Sequence, residues 1–251
     1  MALTITNRGV ATNNAANTSF VVNTTSNCTA GATILICIAA DNSSSGGSTN
    51  DITNVTDALG NQWQVVPSTA VVFDNGAASA GVQGSIWFTH QNAGAIQTTT
   101  NVTVSTGSTC TAKTVTFTEV TAATGFQARI KAGGAKAAGA TATAATSGAT
   151  GTIVVGQALV VGIYIEAGTT QTCTGDSDTT NGSWSTLQYT EIGTTTSGSC
   201  IASQGKVQTT ADSTQSYDVT LGISSDYHSS WAVLVETPNN ACGCNGSMGW
   251  W

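Results

Sequence analysis

Ile52-Thr53-Asn54-Val55-Thr56-Asp57-Ala58-Leu59-Gly60-Asn61-Gln62-Trp63-Gln64-Val65-Val66 is the stretch whose reading decides the fold class. Ile52 and Val55 flank a short polar segment, and Asp57 to Asn61 carries turn chemistry. Gly60-Asn61 stands where a tight reversal needs residues that tolerate positive φ. Trp63 and Val65 then alternate with Gln62 and Gln64, the period-two pattern of a strand with one buried face. The stretch reads as a β-turn-β hairpin.

The rest of the chain repeats this style. Thr33-Ile34-Leu35-Ile36-Cys37-Ile38-Ala39-Ala40 is a continuous apolar run bounded by Gly31 and Asp41, which reads as a central strand buried on both faces. Ala158-Leu159-Val160-Val161-Gly162-Ile163-Tyr164-Ile165-Glu166 parallels it in the second half. Each run leads into a polar loop and a Trp-bearing segment (Trp63, Trp184), and then into alternating strands such as Thr114–Val120 and Ser230–Glu236. That order fits two tandem sandwiches or two halves of one. Each half holds few large apolar residues, so one domain of roughly a dozen strands is expected. Ala132–Thr152 is low in complexity, rich in Gly, Ala, Thr and Ser, and reads as a long crossing segment extended against the body or a neighbour. The expectation is an all-β protein: an antiparallel β-sandwich, jelly-roll-like, over residues 19–236. An N-terminal arm (1–18) and a C-terminal Cys/Trp tail (237–251) would extend from it.

Composition narrows the partners. Charged residues make up 8% of the 251, and the formal net charge is −7. The six basic residues are scattered, apart from Arg129, Lys131 and Lys136, so phosphate neutralisation has no stripe to work with and nucleic acid is excluded as the main partner. No apolar run reaches the about 20 residues that a helix needs to span a bilayer. Met1-Ala2-Leu3-Thr4-Ile5-Thr6-Asn7-Arg8 lacks the pattern of a signal peptide, which points to synthesis in a cytoplasm without general secretory export. Yet the hydroxyl- and amide-rich composition is of an extracellular kind. A virion protein reconciles the two.

Chemistry-bearing residues are few. Asp176 and Asp178, with Asn181 nearby, form the nearest approach to a calcium loop, but no spaced Glu completes it, and a solvated turn is the bland alternative. The glutamates Glu119, Glu166, Glu191 and Glu236 offer no marked pair for glycosidase chemistry. His90 and His228 have no nucleophile elbow beside them, and His228 reads as a loop residue. No cofactor signature is present. Core packing is the default for Trp63, Trp87, Trp184 and Trp231, while Trp184, beside a Gly-Ser-Asn loop, is the candidate for carbohydrate contact. Of the seven cysteines, Cys37 reads as a buried free thiol and Cys173 with Cys200 as a disulfide candidate. Cys242 and Cys244 suit an assembly tail that links chains, and Trp250 and Trp251 suit packing within the protomer or on a partner.

The segments Gly31–Ile36, Val55–Trp63, Ser85–Phe88, Thr100–Val104, Gln157–Gly162 and Trp231–Glu236 resemble, in type and order, a family of jelly-roll-like β-sandwich domains found in phage structural proteins and bacterial surface proteins. The resemblance covers residues 19–236 and marks fold more than activity. It implies a structural or surface-display module with no catalytic set. The expected function is that of a non-enzymatic bacteriophage virion protein: a capsid decoration or cement subunit, a head fibre or a tail component. Its partners would be other virion proteins and copies of itself. A carbohydrate-binding or adhesion module for a host-surface glycan, and an extracellular filament subunit, are the alternatives.

Overall fold

The computed structural model describes residues 3–41, 50–74, 81–168, 170–194, 197–212 and 215–239. Among them the chain forms fifteen strands and no helix. The first nine are β1 (Thr4–Asn13), β2 (Asn17–Val22), β3 (Thr33–Asp41), β4 (Ile52–Asp57), β5 (Gln64–Val65), β6 (Val71–Asp74), β7 (Gly81–Thr89), β8 (Val102–Cys110) and β9 (Lys113–Thr121). They are followed by β10 (Phe126–Thr146), β11 (Ala158–Ile165), β12 (Cys173–Thr174), β13 (Gln188–Ile192), β14 (Ser199–Val207) and β15 (Asp218–Pro238). Their pairings are antiparallel, and the sheets pack as sandwich-like layers.

The two apolar runs explain the layering. Every residue of β3 and of β11 is buried, because each strand is central in its sheet and both faces of that sheet are covered. Leu35, Cys37 and Ala39 of β3 face Ala158, Val160 and Tyr164 of β11 in the middle layer, where the two large sheets meet. Ile34, Ile36 and Ile38 point the other way, onto Phe20, Val22, Val55, Val102 and Val104 of the small sheet β2-β8-β4. Leu159, Val161 and Ile163 point outward in the same fashion, onto Ala145, Val219 and Leu221. Three apolar interiors therefore lie between four sheet layers.

The strand orders are β1-β9-β3-β7-β5 and β10-β15-β11-β14-β13. Taken in chain order they are one plan used twice: β1 corresponds to β10, β3 to β11, β7 to β14, β9 to β15 and β5 to β13. The outer layers correspond as well. In the first half β2-β8-β4 covers the large sheet; in the second, the end of β10, the start of β15 and β12 do so, paired through Thr146↔Asp218 and Cys173↔Leu221. Strands that are separate in the first half are continuous in the second, so β10 and β15 each run for 21 residues and bend over register shifts. The low-complexity stretch after Ala132 is thus strand as far as Thr146. The halves meet through the same face of each, as in an isologous dimer. Polar pairs stitch that meeting: Thr114 Oγ1 to Ser199 Oγ (3.1 Å), Ser203 Oγ to Thr116 Oγ1 (2.7 Å) and Gln188 Nε2 to Thr118 Oγ1 (3.0 Å).

Two local expectations change. Ile52–Val66 is an arch and not a hairpin: β4 pairs with β8 in the small sheet, whereas β5 pairs with β7 in the large one. The turn itself is as read, with Gly60 at φ 80°. Period-two patterning marks a strand with one buried face but not its partner. Within the segment read as an N-terminal arm, Thr4–Asn13 forms β1 and pairs with β9 of its own chain, with Leu3 and Ile5 packed in the middle layer.

Candidate functional site

The loop Gly175–Ser183 leaves β12 and returns at Trp184. Two Asx turns build it. Asp176 Oδ1 accepts the Asp178 N–H at 2.7 Å, and Asp178 Oδ1 accepts the Thr180 N–H at 2.8 Å. Asp176 Oδ2 accepts the Asp218 N–H at 3.2 Å, and Asp178 Oδ2 lies 3.6 Å from Lys206 Nζ. The Thr180 amide first, and the Lys206 ammonium after it, hold the Asp178 carboxyl below its usual range. Asn181 turns its amide onto Asp212 Oδ2 at 2.8 Å. Calcium asks for six to eight oxygens; these carboxylates already accept N–H bonds, and a lysine already neutralises one. Among the described residues no three His, Cys, Asp or Glu side chains gather as a metal requires.

Trp184 stands on the second outer interior as Trp63 stands on the first. It is half-buried, with its ring centroid 4.8 Å from that of Tyr217 and Lys206 Nζ 5.1 Å above the ring. Lys206 is fully buried and donates to Thr180 O at 2.5 Å. The Trp184 indole N–H and the Tyr217 hydroxyl are buried without a hydrogen-bond partner. Beside Trp184 runs a groove of about 310 Å³, lined also by Leu3, Thr4, Ile5, Ser183 and Ser185. Sugar stacking needs an open aromatic face, and here the ammonium already covers one. Cys242, Cys244, Trp250 and Trp251 lie outside the described residues.

Several other titratable groups are tied into the framework. Glu119, fully buried on β9, is bound by Arg8 Nη2 at 2.6 Å and by the Thr29 N–H at 2.6 Å. Glu236 accepts the Ala123 N–H at 2.9 Å, and Glu191 accepts the Tyr189 hydroxyl. Glu166 follows β11, where burial raises its carboxyl above the usual range. His90 Nδ1 meets the Thr33 hydroxyl at 2.8 Å, but that hydroxyl donates to Ala128 O, and burial pushes the imidazole down to about 4. His228 is not a loop residue; it lies within β15 and is buried. The Cys173–Cys200 bridge is not formed, and Cys28, Cys37, Cys173 and Cys200 are free thiols. Cys200 Sγ instead donates to Ala167 O at 3.1 Å from inside the outer interior, and burial pushes the Cys173 thiol up to about 12.

Two further constellations emerge in the fold. Asp57 gathers the arch: its carboxylate accepts the N–H groups of Leu59 and Asn61, the Asn61 amide, and the Trp63 indole N–H at 2.8 Å. Lys113, alone among Thr and Val at the start of β9, is buried against β2. Asp41 ends β3 beside it. The spacing Asp57-x3-Asn61-x-Trp63 was a signal for the first; a lone lysine within an alternating strand was the signal for the second. No protein-family model, curated protein or solved structure matches the chain.

Proposed function

We propose that this chain is a non-enzymatic structural subunit of a bacteriophage virion that acts by assembly, as a decoration or cement subunit, a head fibre or a tail component. The observation that carries the reading is the duplicated body. Two copies of one strand plan, joined through a shared face, make one block in which Glu119, Glu191, Glu236 and Asp57 are hydrogen-bonded within the framework. The hydroxyl- and amide-rich composition supplies many weak, uncharged contacts, which gain avidity when symmetry repeats them. The sequence resemblance to phage and surface sandwiches points the same way.

Density-gradient purification of particles from a host carrying the gene, followed by labelling with an antibody to this chain, tests it. The label is expected on particles. Chain found only in the cell envelope or free in the lysate overturns the reading. The groove beside Trp184 favours a second reading, adhesion to a surface glycan. Saturable glycan binding lost in Trp184→Ala, by protein absent from particles, would select it.

A further inference from the structure

Lys113 is fully buried, and its Nζ is held at one point by three oxygens. Ala15 O accepts at 2.6 Å, Cys110 O at 2.5 Å and the side-chain Oδ1 of Asn17 at 2.8 Å. The Phe20 ring lies beneath, with its centroid 5.3 Å from Nζ. Neither described salt bridge includes this lysine. Burial lowers its affinity for a proton. A lysine in such a setting is an amine nucleophile more readily than one in water. The carbon one bond beyond its Asn17 contact is a primary carboxamide.

We propose that Lys113 and Asn17 join as an intramolecular amide, a covalent bridge from β9 in the large sheet to β2 in the small sheet that covers it. The Lys113 nitrogen attacks Asn17 Cγ and the N–Cγ bond forms. The Cγ–Nδ2 bond then breaks, and Nδ2 leaves with the proton given up by the amine, as ammonia. A lysine that starts as ammonium sends its extra proton out on the same ammonia. Nothing is oxidised or reduced, and no co-reactant is needed. Two strands of a folded sandwich hold the nitrogen and the carboxamide side by side, so the reaction draws on the high effective concentration of intramolecular reactants. Asp41 is a positioning residue for it. Its Oδ1 accepts the Thr111 N–H at 2.9 Å and its own N–H donates to Ala112 O at 2.9 Å, pinning the turn that presents Lys113. The bridge would close a loop spanning 96 positions, the kind of long closure that restricts an unfolded chain most.

Intact mass under denaturing conditions, with peptide mapping of the full-length chain, tests this. The expected mass is that of the sequence less one ammonia, with residues 17 and 113 recovered in one branched peptide. Lys113→Arg should restore the full mass. Asn17→Asp should bridge with loss of water instead, which keeps the test open should Lys113→Arg fail to fold. After refolding, Asp41→Ala should bridge more slowly and Asp41→Asn should recover the wild-type rate. Full sequence mass, with Asn17 and Lys113 in separate peptides, overturns the proposal. So does an ammonia loss that survives Lys113→Arg, because that marks a succinimide.

Discussion

Tyr164 of β11 lies across the middle layer against Gly84 of β7: a Cβ placed on Gly84 would clash with the tyrosine ring. The ring is fully buried, and its hydroxyl bonds Ser230 Oγ at 2.6 Å. One half of the duplicated body thus inserts a fully buried tyrosine where the other half has no side chain. Gly84→Ala should cost about 1–3 kcal/mol by overpacking. Tyr164→Phe, which leaves Ser230 without its partner, should cost about 1 kcal/mol. Urea unfolding of both variants checks this.

The Asp57 carboxylate closes the arch at four donors, one of them the indole of a buried tryptophan. Asp57→Ala should therefore destabilise by about 2–4 kcal/mol, as hydrogen bonds to a charged acceptor are lost and a buried indole N–H is left unpaired. Trp63 fluorescence during denaturation reports the shift directly.

Arg8 and Glu119 form an ion pair at 2.6 Å with the Glu119 side chain fully buried. Glu119→Gln should cost about 3 kcal/mol, because a partly buried guanidinium is left without its counter-ion. Replacing both residues by apolar ones should cost less than the two single changes added together. A double-mutant cycle measures the coupling.

Stability against pH carries two opposed contributions. Burial pushes Asp41 from 3.8 to about 6, so over that window the folded chain keeps a proton that the unfolded chain releases, and stability falls as pH rises. Burial pushes His90 from 6.5 to about 4, so the unfolded chain takes up the proton first, and stability rises with pH. At about 1.4 kcal/mol per pKa unit, each effect is at most about 3 kcal/mol. Glu166, raised, and His228, lowered, make a second opposed pair. The wild-type chain should be nearly flat between about pH 4 and 6. Asp41→Asn should turn the profile upward with pH, and His90→Asn downward. Thermal melts across the window separate them.

A chain ending after β9 would leave Leu35, Cys37, Val82, Ile86 and Phe88 uncovered, since the second half is what covers them. That face is built to meet its counterpart, so such a half should dimerise or aggregate. A stable monomer on size exclusion would contradict the two-halves account.

Much of the fold was legible from patterning. The runs at Thr33 and Ala158 were readable as doubly buried strands because nothing polar interrupts either face. The Trp63 and Trp184 parallel foreshadowed the duplication. Partner choice was not legible: β4 and β5 read as one hairpin, yet β4 joins the small sheet with β8, since alternation says which face is buried and not against what. Thr4–Asn13 looked like an arm because Asn, Thr and Gly dilute its pattern; its sheet position comes from pairing with β9. Asp176 and Asp178 were visible as a pair of acids, but the lysine that answers one of them, Lys206, is distant in sequence and fully buried. Lys113 and Asn17 likewise meet through the registers Asn13↔Lys113 and Asn17↔Cys110.

The most direct measurement of the central claim is the assembly state of the full-length chain, by sedimentation velocity with negative-stain microscopy over a wide concentration range. The account predicts a closed oligomer of defined symmetry, or a regular array, that persists in high salt because uncharged contacts hold it. A chain that stays monomeric at every concentration and binds no particle would contradict it.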